Sequence, residues 1–149
     1  MAKFIFSMQN LLDMKEKLEE QEKNNYSQAN LRLLEAEEAL EAIKARLEAA
    51  KERLKQEVAK VQDIGEIRRR EDAVEILKMY VAEQILVVRA RQKELEIARE
   101  RLQEAMKERK TFEKLRERAF EAFMEEENRK EQKEVDELVS YRYGVAESR

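Results

Sequence analysis

Glu37 and Glu41 stand four residues apart, a spacing that puts two carboxylates on one face of a helix. Paired carboxylates can do general acid/base work only where a site excludes water and separates their pKa values. On an open helix surface both are solvated, and nothing here promises a closed cleft. The chain has no His and no Cys, which removes nucleophile–base pairs, thiol chemistry and zinc sites. With only two glycines it has no Gly-rich loop to cradle a phosphate. These residues lead us to expect a protein that is not an enzyme, with no catalytic residues, no metal and no cofactor. The longest basic run is Arg68-Arg69-Arg70 and the longest acidic run is Glu125-Glu126-Glu127. Within 31 basic and 34 acidic residues, net charge −3, such short blocks read as solvated helix faces with i,i+4 pairs. A nucleic-acid footprint would rest on Arg68 to Arg70 alone, so no nucleic-acid partner is expected.

Long helices must carry these residues. Of 149 residues 44% are charged and none is proline, a composition typical of long helices and coiled coils. Strands and tight turns need Gly, Pro and β-branched clusters that are nearly absent. A mean hydropathy of −0.85 leaves too few apolar residues for a compact core, so an extended object with a narrow seam is expected. The absence of cysteine fits a reducing compartment. The opening "MAKFIFSMQNLLDMKEK" is apolar only until Asp13, too short for a signal peptide or a membrane span, and a cytoplasmic location is expected.

The seam can be read residue by residue. Tyr26, Ala29, Leu33, Ala36, Leu40, Ile43, Leu47, Ala50 and Leu54 step by threes and fours, the heptad rule. Val58 and Val61 follow with a slip of phase, as a stutter produces. Upstream, Leu11 and Leu18 keep the lattice while Lys15 and Glu22 interrupt it. A second stripe runs through Val81, Ile85, Val88, Arg91, Leu95, Ala98, Leu102, Ala105, Arg109, Phe112, Arg116, Ala119 and Phe123. Its arginines weaken it toward the C-terminus, where fraying or a need for a partner is expected.

Gly65 lies between the two stripes. A glycine just past a helix end can close it in the left-handed conformation, and Arg68 to Arg70 would then offset the helix dipole. Asp72 and Glu75 have capping-box spacing, so a new helix could begin with Asp72 as N-cap. The turn then runs from Ile64 to Glu66, or as far as Asp72. The alternative is one kinked helix of more than about 130 residues, a length typical of fibrous chains. The turn is preferred. Ser7 can cap the first helix, with Phe6 and Leu11 in hydrophobic-staple spacing. The expected fold is all-α, an antiparallel two-helix coiled-coil hairpin with its turn near Gly65. It is a single coiled coil over residues 1–143, with helices over about 8–64 and 67–138, and a disordered tail over 144–149.

Apolar residues off the seam can meet partners. Met79, Tyr80, Leu86 and Val87 form either a locally widened core or a docking face. Phe4, Phe6, Phe120, Phe123 and Met124 form a second cluster, either a docking face or the closure of the open end.

The ending "ENRKEQKEVDELVSYRY" resembles the C-terminal signature of the FliJ family of the bacterial flagellar export apparatus. The family's Asn-Arg, Gln-Lys and Asp-Glu pairs are here Asn128-Arg129, Gln132-Lys133 and Asp136-Glu137. The opening "MAKFIFSMQNLLDMKEKLEEQE" is similar to the family's start, and length and heptad layout agree along the chain. The resemblance implies a stalk-like coiled coil in flagellar protein export that binds the hexameric export ATPase and promotes its assembly and activity. It also implies contact with the cytoplasmic domain of the export gate, return of export chaperones, and a place on the cytoplasmic face of the membrane at the flagellar base. The implied ATPase-binding residues are Phe4, Phe6, Leu11, Leu12, Arg129, Lys133, Asp136 and Glu137. The implied gate-binding residues are Ile43, Arg46, Leu77, Tyr80 and Gln84, with Arg46 and Ala50 standing where the family often carries an aromatic. Apart from the resemblance, the chain also reads as a structural coiled coil that self-associates without an ATPase.

Overall fold

A computed structural model describes residues 2–60 and 63–147. It has two α-helices, α1 over Gln9–Lys60 and α2 over Ile64–Glu147, and no strand among the described residues. The chain is all-α, with α1 packed on α2, and its break lies just before Gly65. Surface pairs such as Glu48–Lys51 (3.3 Å), Glu75–Lys78 (3.3 Å) and Arg91–Glu94 (2.9 Å) support the helices locally. Each such pair contributes about 0.2–0.5 kcal/mol.

The helix ends differ from the sequence expectation in instructive ways. α2 is capped by Asp63, not Asp72: Asp63 Oδ1 accepts from Gly65 N at 2.9 Å, and the Asp63 carbonyl accepts from Ile67 N at 3.1 Å. Asp63 and Glu66 have the same capping-box spacing as Asp72 and Glu75, and Glu66 brings an acid to the first turn of the helix. The earlier cap wins, so Asp72 lies inside α2. Gly65 therefore does not close α1; it is the second residue of α2, with no left-handed backbone. Arg69 and Arg70 approach Glu66 at 3.1 and 3.5 Å.

α1 starts one residue later than a Ser7 cap would require. The Phe6 carbonyl accepts from Gln9 N at 3.1 Å and the Met8 carbonyl accepts from Leu12 N at 3.0 Å, so Met8 holds the cap position. At the other end, Gly144 has open space around it and the helix continues to Glu147. The tail expected to be disordered over 144–149 is thus helical over 144–147, and residues 148–149 lie outside the described residues. A lone glycine near a helix end costs only about 1 kcal/mol, too little to stop a helix of strong formers.

Contacts divide the chain into two units, Gln21–Gln103 and Met1–Glu20 with Glu104–Arg149. The unit of Gln21–Gln103 is an antiparallel hairpin. Its seam on α1, Tyr26 through Leu54, is buried or half-buried at every predicted position. Val58 departs, being 50% exposed, and Val61 lies outside the described residues. On α2 the seam begins earlier than predicted, at Val74 and Leu77, which pack with Leu47 against Ala50, Leu54 and Val81. Gln84 Nε2 donates to the Ala36 carbonyl at 3.0 Å, tying the two helices farther along. Met79, Tyr80, Leu86 and Val87 are exposed, so they do not widen the core.

In the other unit α1 and α2 also run antiparallel. Leu12 and Glu19 are buried here, while Leu11 and Leu18 are exposed. The correction follows from the lattice: stepping back from Tyr26 by fours and threes reaches Glu22, Glu19, Lys15 and Leu12. The charged residues are seam positions, and Lys15 and Glu19 are satisfied across the helix pair by Glu108 and Arg109. Among the described residues no large side chain is fully buried, as a two-helix seam dictates.

Candidate functional site

The described residues hold no group of His, Cys, Asp or Glu arranged to bind a metal. Glu41 is paired with Lys44 at 3.6 Å on an exposed face, so the Glu37–Glu41 spacing builds no acid/base site. No described helix is long and apolar enough to cross a membrane. The features that could serve function are therefore surfaces, and each unit carries one.

In the unit containing both chain ends, Phe4 closes the helix pair. Its ring meets Phe120 edge-on at 5.2 Å and Phe123 at 5.5 Å, and the Arg116 guanidinium sits 5.7 Å from its centre. Phe6 is buried beside this cluster, in a groove that Leu115, Ala119 and Phe123 also line. Of the residues expected to meet an ATPase, Phe6 and Leu12 are thus spent on packing, Phe4 is half-buried, and Leu11 is exposed. Arg129, Lys133, Asp136 and Glu137 are all exposed on α2.

Past Phe123 the character of α2 changes. Every residue from Asn128 to Ala146 is exposed. At 100° per residue, Arg129, Lys133, Asp136 and Glu137 share one side of this helix, while Val135, Leu138 and Val139 share the opposite side. Gln132 Nε2 donates to Asp136 Oδ1 at 3.4 Å, and Lys130 approaches Glu127 at 3.9 Å. The result is a local apolar patch of Val135, Leu138 and Val139, with Tyr141 and Tyr143 nearby, that is exposed. Sequence reasoning picked the charged side and missed the apolar one, although its three-and-four spacing was legible.

The same unit holds a polar knot on the other side of the Phe4 cluster. Glu19 is only 5% exposed and accepts from Arg109 Nε; Arg109 also donates to Glu113 at 2.8 Å. The hydrogen bonds to Glu113 and then to Glu19 raise the guanidinium pKa above its already high ordinary value, so Arg109 stays charged. Lys15 pairs with Glu108 at 2.9 Å one turn away. Polar residues at seam positions fix register between paired helices.

In the unit of Gln21–Gln103, the residues expected to meet an export gate do not form one exposed patch. Leu77 is 9% exposed within the core cluster, and Ile43 is half-buried in the seam. Gln84 is half-buried and committed to the Ala36 carbonyl. Arg46 is exposed, and Tyr80 is 48% exposed. Met79 and Leu86 are more exposed still and extend the apolar surface around Tyr80.

With this geometry in place, the family profile of the Flagellar FliJ protein matches residues 4–148. The chain belongs to the flagellar FliJ protein family. Membership makes it a component of flagellar (type III) protein export. A solved structure described as a YscO homolog, CT670, from Chlamydia trachomatis is 19% identical. It covers 99% of this chain and 99% of its own length, with a TM-score of 0.47. No curated protein matches the chain. The resemblance read from Asn128-Arg129, Gln132-Lys133 and Asp136-Glu137 therefore holds at the level of the family.

Proposed function

We propose that this FliJ-family chain is the stalk-like subunit that binds the export ATPase hexamer and promotes its assembly and activity. The carrying observation is the stretch from Asn128 to Ala146, a fully exposed helix with an apolar patch of Val135, Leu138 and Val139 and a charged opposite side. Such a patch left in water is unfavourable and is covered when a partner supplies an apolar groove. Arg129, Lys133, Asp136 and Glu137 then steer encounter and set orientation. Leu11 and the rim of the Phe4 cluster lie in the same unit and would contribute contacts, whereas Phe6 and Leu12 act by holding the end together.

The gate contact is assigned to the exposed members of its set, Arg46 and Tyr80, with Leu77, Ile43 and Gln84 supporting them from the seam. Chaperone return would use the same molecule at the cytoplasmic face of the membrane, near the flagellar base. In this reading the chain is non-catalytic and takes no cofactor.

The test is ATP hydrolysis by the cognate export ATPase with and without the protein, beside a size assay for the hexamer. Stimulation and assembly are expected with the native chain. Both are expected to weaken with Arg129→Glu/Lys133→Glu and with Val135→Asp/Leu138→Asp, at unchanged helicity in the rest of the chain. Normal stimulation by both double variants refutes the placement.

A second reading has its own observation. Ile76, Met79, Tyr80, Leu86 and Val87 are all exposed on α2, and such a surface also suits self-association of a structural coiled coil. Sedimentation separates the two, since a scaffold gives concentration-dependent homo-oligomers while the stalk reading expects a monomer that joins a hexamer.

A further inference from the structure

We propose that a groove between α1 and α2 in the unit of Gln21–Gln103 receives a carboxylate-bearing helix of a protein partner, gripped by Arg46, Arg53 and Arg70. The groove has a volume of about 250 Å³. Arg46 and Arg53 come from one face of α1, two turns apart, and Arg70 faces them from α2. The floor between them is made of Ala49, Ala50, Ala73 and Leu77. Bare methyl groups along a floor let a helix axis come close, since the approach distance is set by the side chains at the contact.

Two of the three arginines in this groove have no partner among the described residues, and the third, Arg70, has Glu66 beside it but no hydrogen bond at its Nε. Among the described residues Arg46 and Arg53 make no ion pair and no hydrogen bond. Arg70 Nε is buried with no hydrogen-bond partner, and the nearest acid, Glu66, stands 3.5 Å away without bonding geometry. Glu66 is already bonded to Arg69 at 3.1 Å. Neighbouring acids are likewise engaged on outer faces, Glu48 with Lys51 and Glu75 with Lys78. A chain of net charge −3 thus gathers guanidinium groups around an apolar floor, with Arg46 and Arg53 unpaired and Arg70 Nε without a hydrogen bond. Guanidinium forks match carboxylates in geometry and charge, and such bonds strengthen where the floor excludes water.

The occupant is a protein helix and not a nucleic acid. The groove has no aromatic side chain on which a base could stack, and its basic patch is too short to track a phosphate backbone. An amphipathic helix with Glu or Asp on the approaching face supplies both carboxylates for the arginines and small apolar groups for Leu77 and the alanines. Arg46 and Leu77 also belong to the set assigned to the gate, and the groove would grip such a helix whether it comes from the gate or from another protein.

The experiment uses the full chain and a labelled alanine-based peptide of about 20 residues, long enough to form a helix, with Glu at every fourth position. Its Gln counterpart and a single-stranded DNA oligonucleotide of equal charge are the comparators, with binding read by fluorescence anisotropy at low salt. The Glu peptide should bind at least about tenfold more tightly than the Gln peptide, and more weakly as salt rises. Arg46→Gln/Arg53→Gln/Arg70→Gln should cut its affinity by about tenfold or more at unchanged helicity. Ala73→Glu, at an exposed position, should cut it similarly by placing a carboxylate of the chain's own in the groove, and this variant carries the test if the triple one is unstable. Absence of Glu-peptide binding, equal binding of the Gln peptide, or full affinity in Ala73→Glu overturns the proposal. Tighter binding of the oligonucleotide, lost in the same variants, overturns it in favour of a nucleic-acid site.

Discussion

Leu77→Ala and Tyr80→Ala separate packing from contact at the surface assigned to the gate. Leu77 is 9% exposed and packs with Leu47 and Val74, while Tyr80, three residues on, is 48% exposed. Truncating Leu77 removes its Cγ and two Cδ atoms from the seam. At about 0.8 kcal/mol per buried carbon the transfer loss is about 2 kcal/mol. Full cores add a large cavity penalty, giving about 2–5 kcal/mol in all. A two-helix seam is open at its sides and can relax, so we expect the low end, about 2–2.5 kcal/mol. Tyr80→Ala should cost less than about 1 kcal/mol, because half of the ring is already in water. The assay is urea unfolding followed by far-UV circular dichroism, read as a fall in midpoint at constant slope. A cost below about 1 kcal/mol for Leu77→Ala, or equal costs for the two variants, would refute the seam assignment. If it holds, loss of gate binding in Leu77→Ala reports a disturbed hairpin, and only loss in Tyr80→Ala reports a lost contact.

Asp63→Ala should destabilise the start of α2 by about 1 kcal/mol, seen as faster amide exchange at Gly65 and Glu66; unchanged exchange there would show that Asp63 is not the cap. Glu19→Arg and Arg109→Glu should each destabilise, and the double swap should recover much of the loss in a double-mutant cycle; additive losses would deny the pair a joint role. Hydrogen exchange should be fast from Asn128 to Ala146 and slower from Val81 to Phe123, with the fast stretch slowing when the export ATPase is added; uniform protection in the free chain would contradict the uncovered helix. Val135→Asp/Leu138→Asp should leave the melting of the free chain nearly unchanged, because both side chains are already exposed.

Periodicity made much of this protein legible before any coordinates. The run from Tyr26 to Leu54 and, apart from the exposed Arg116, the run from Val81 to Phe123 appear in the seam as spaced, because a two-helix pairing buries whatever the heptad presents. The family, too, was readable, in pairs of residues near the C-terminus. What the sequence left open are choices between equivalent local signals. Asp63 and Asp72 offer the same capping spacing, and only the hairpin's closure selects the first. Leu11 and Leu12 are adjacent leucines, and which one is buried depends on the phase handed down from Tyr26. Nothing in the sequence singles out Glu19 among the acids; Arg109 on the other helix, opposite it, makes it a seam residue. Leu77 and Tyr80 both looked like contact residues, yet a separation of about 60° around the helix axis is enough to part core from surface. The Arg46, Arg53 and Arg70 groove is the plainest case, since two of its arginines come from one helix and the third from the other. Local sequence determines helices and their apolar stripes through propensity and period; which side chains meet across the pair is a property of the antiparallel register, which only the folded chain contains.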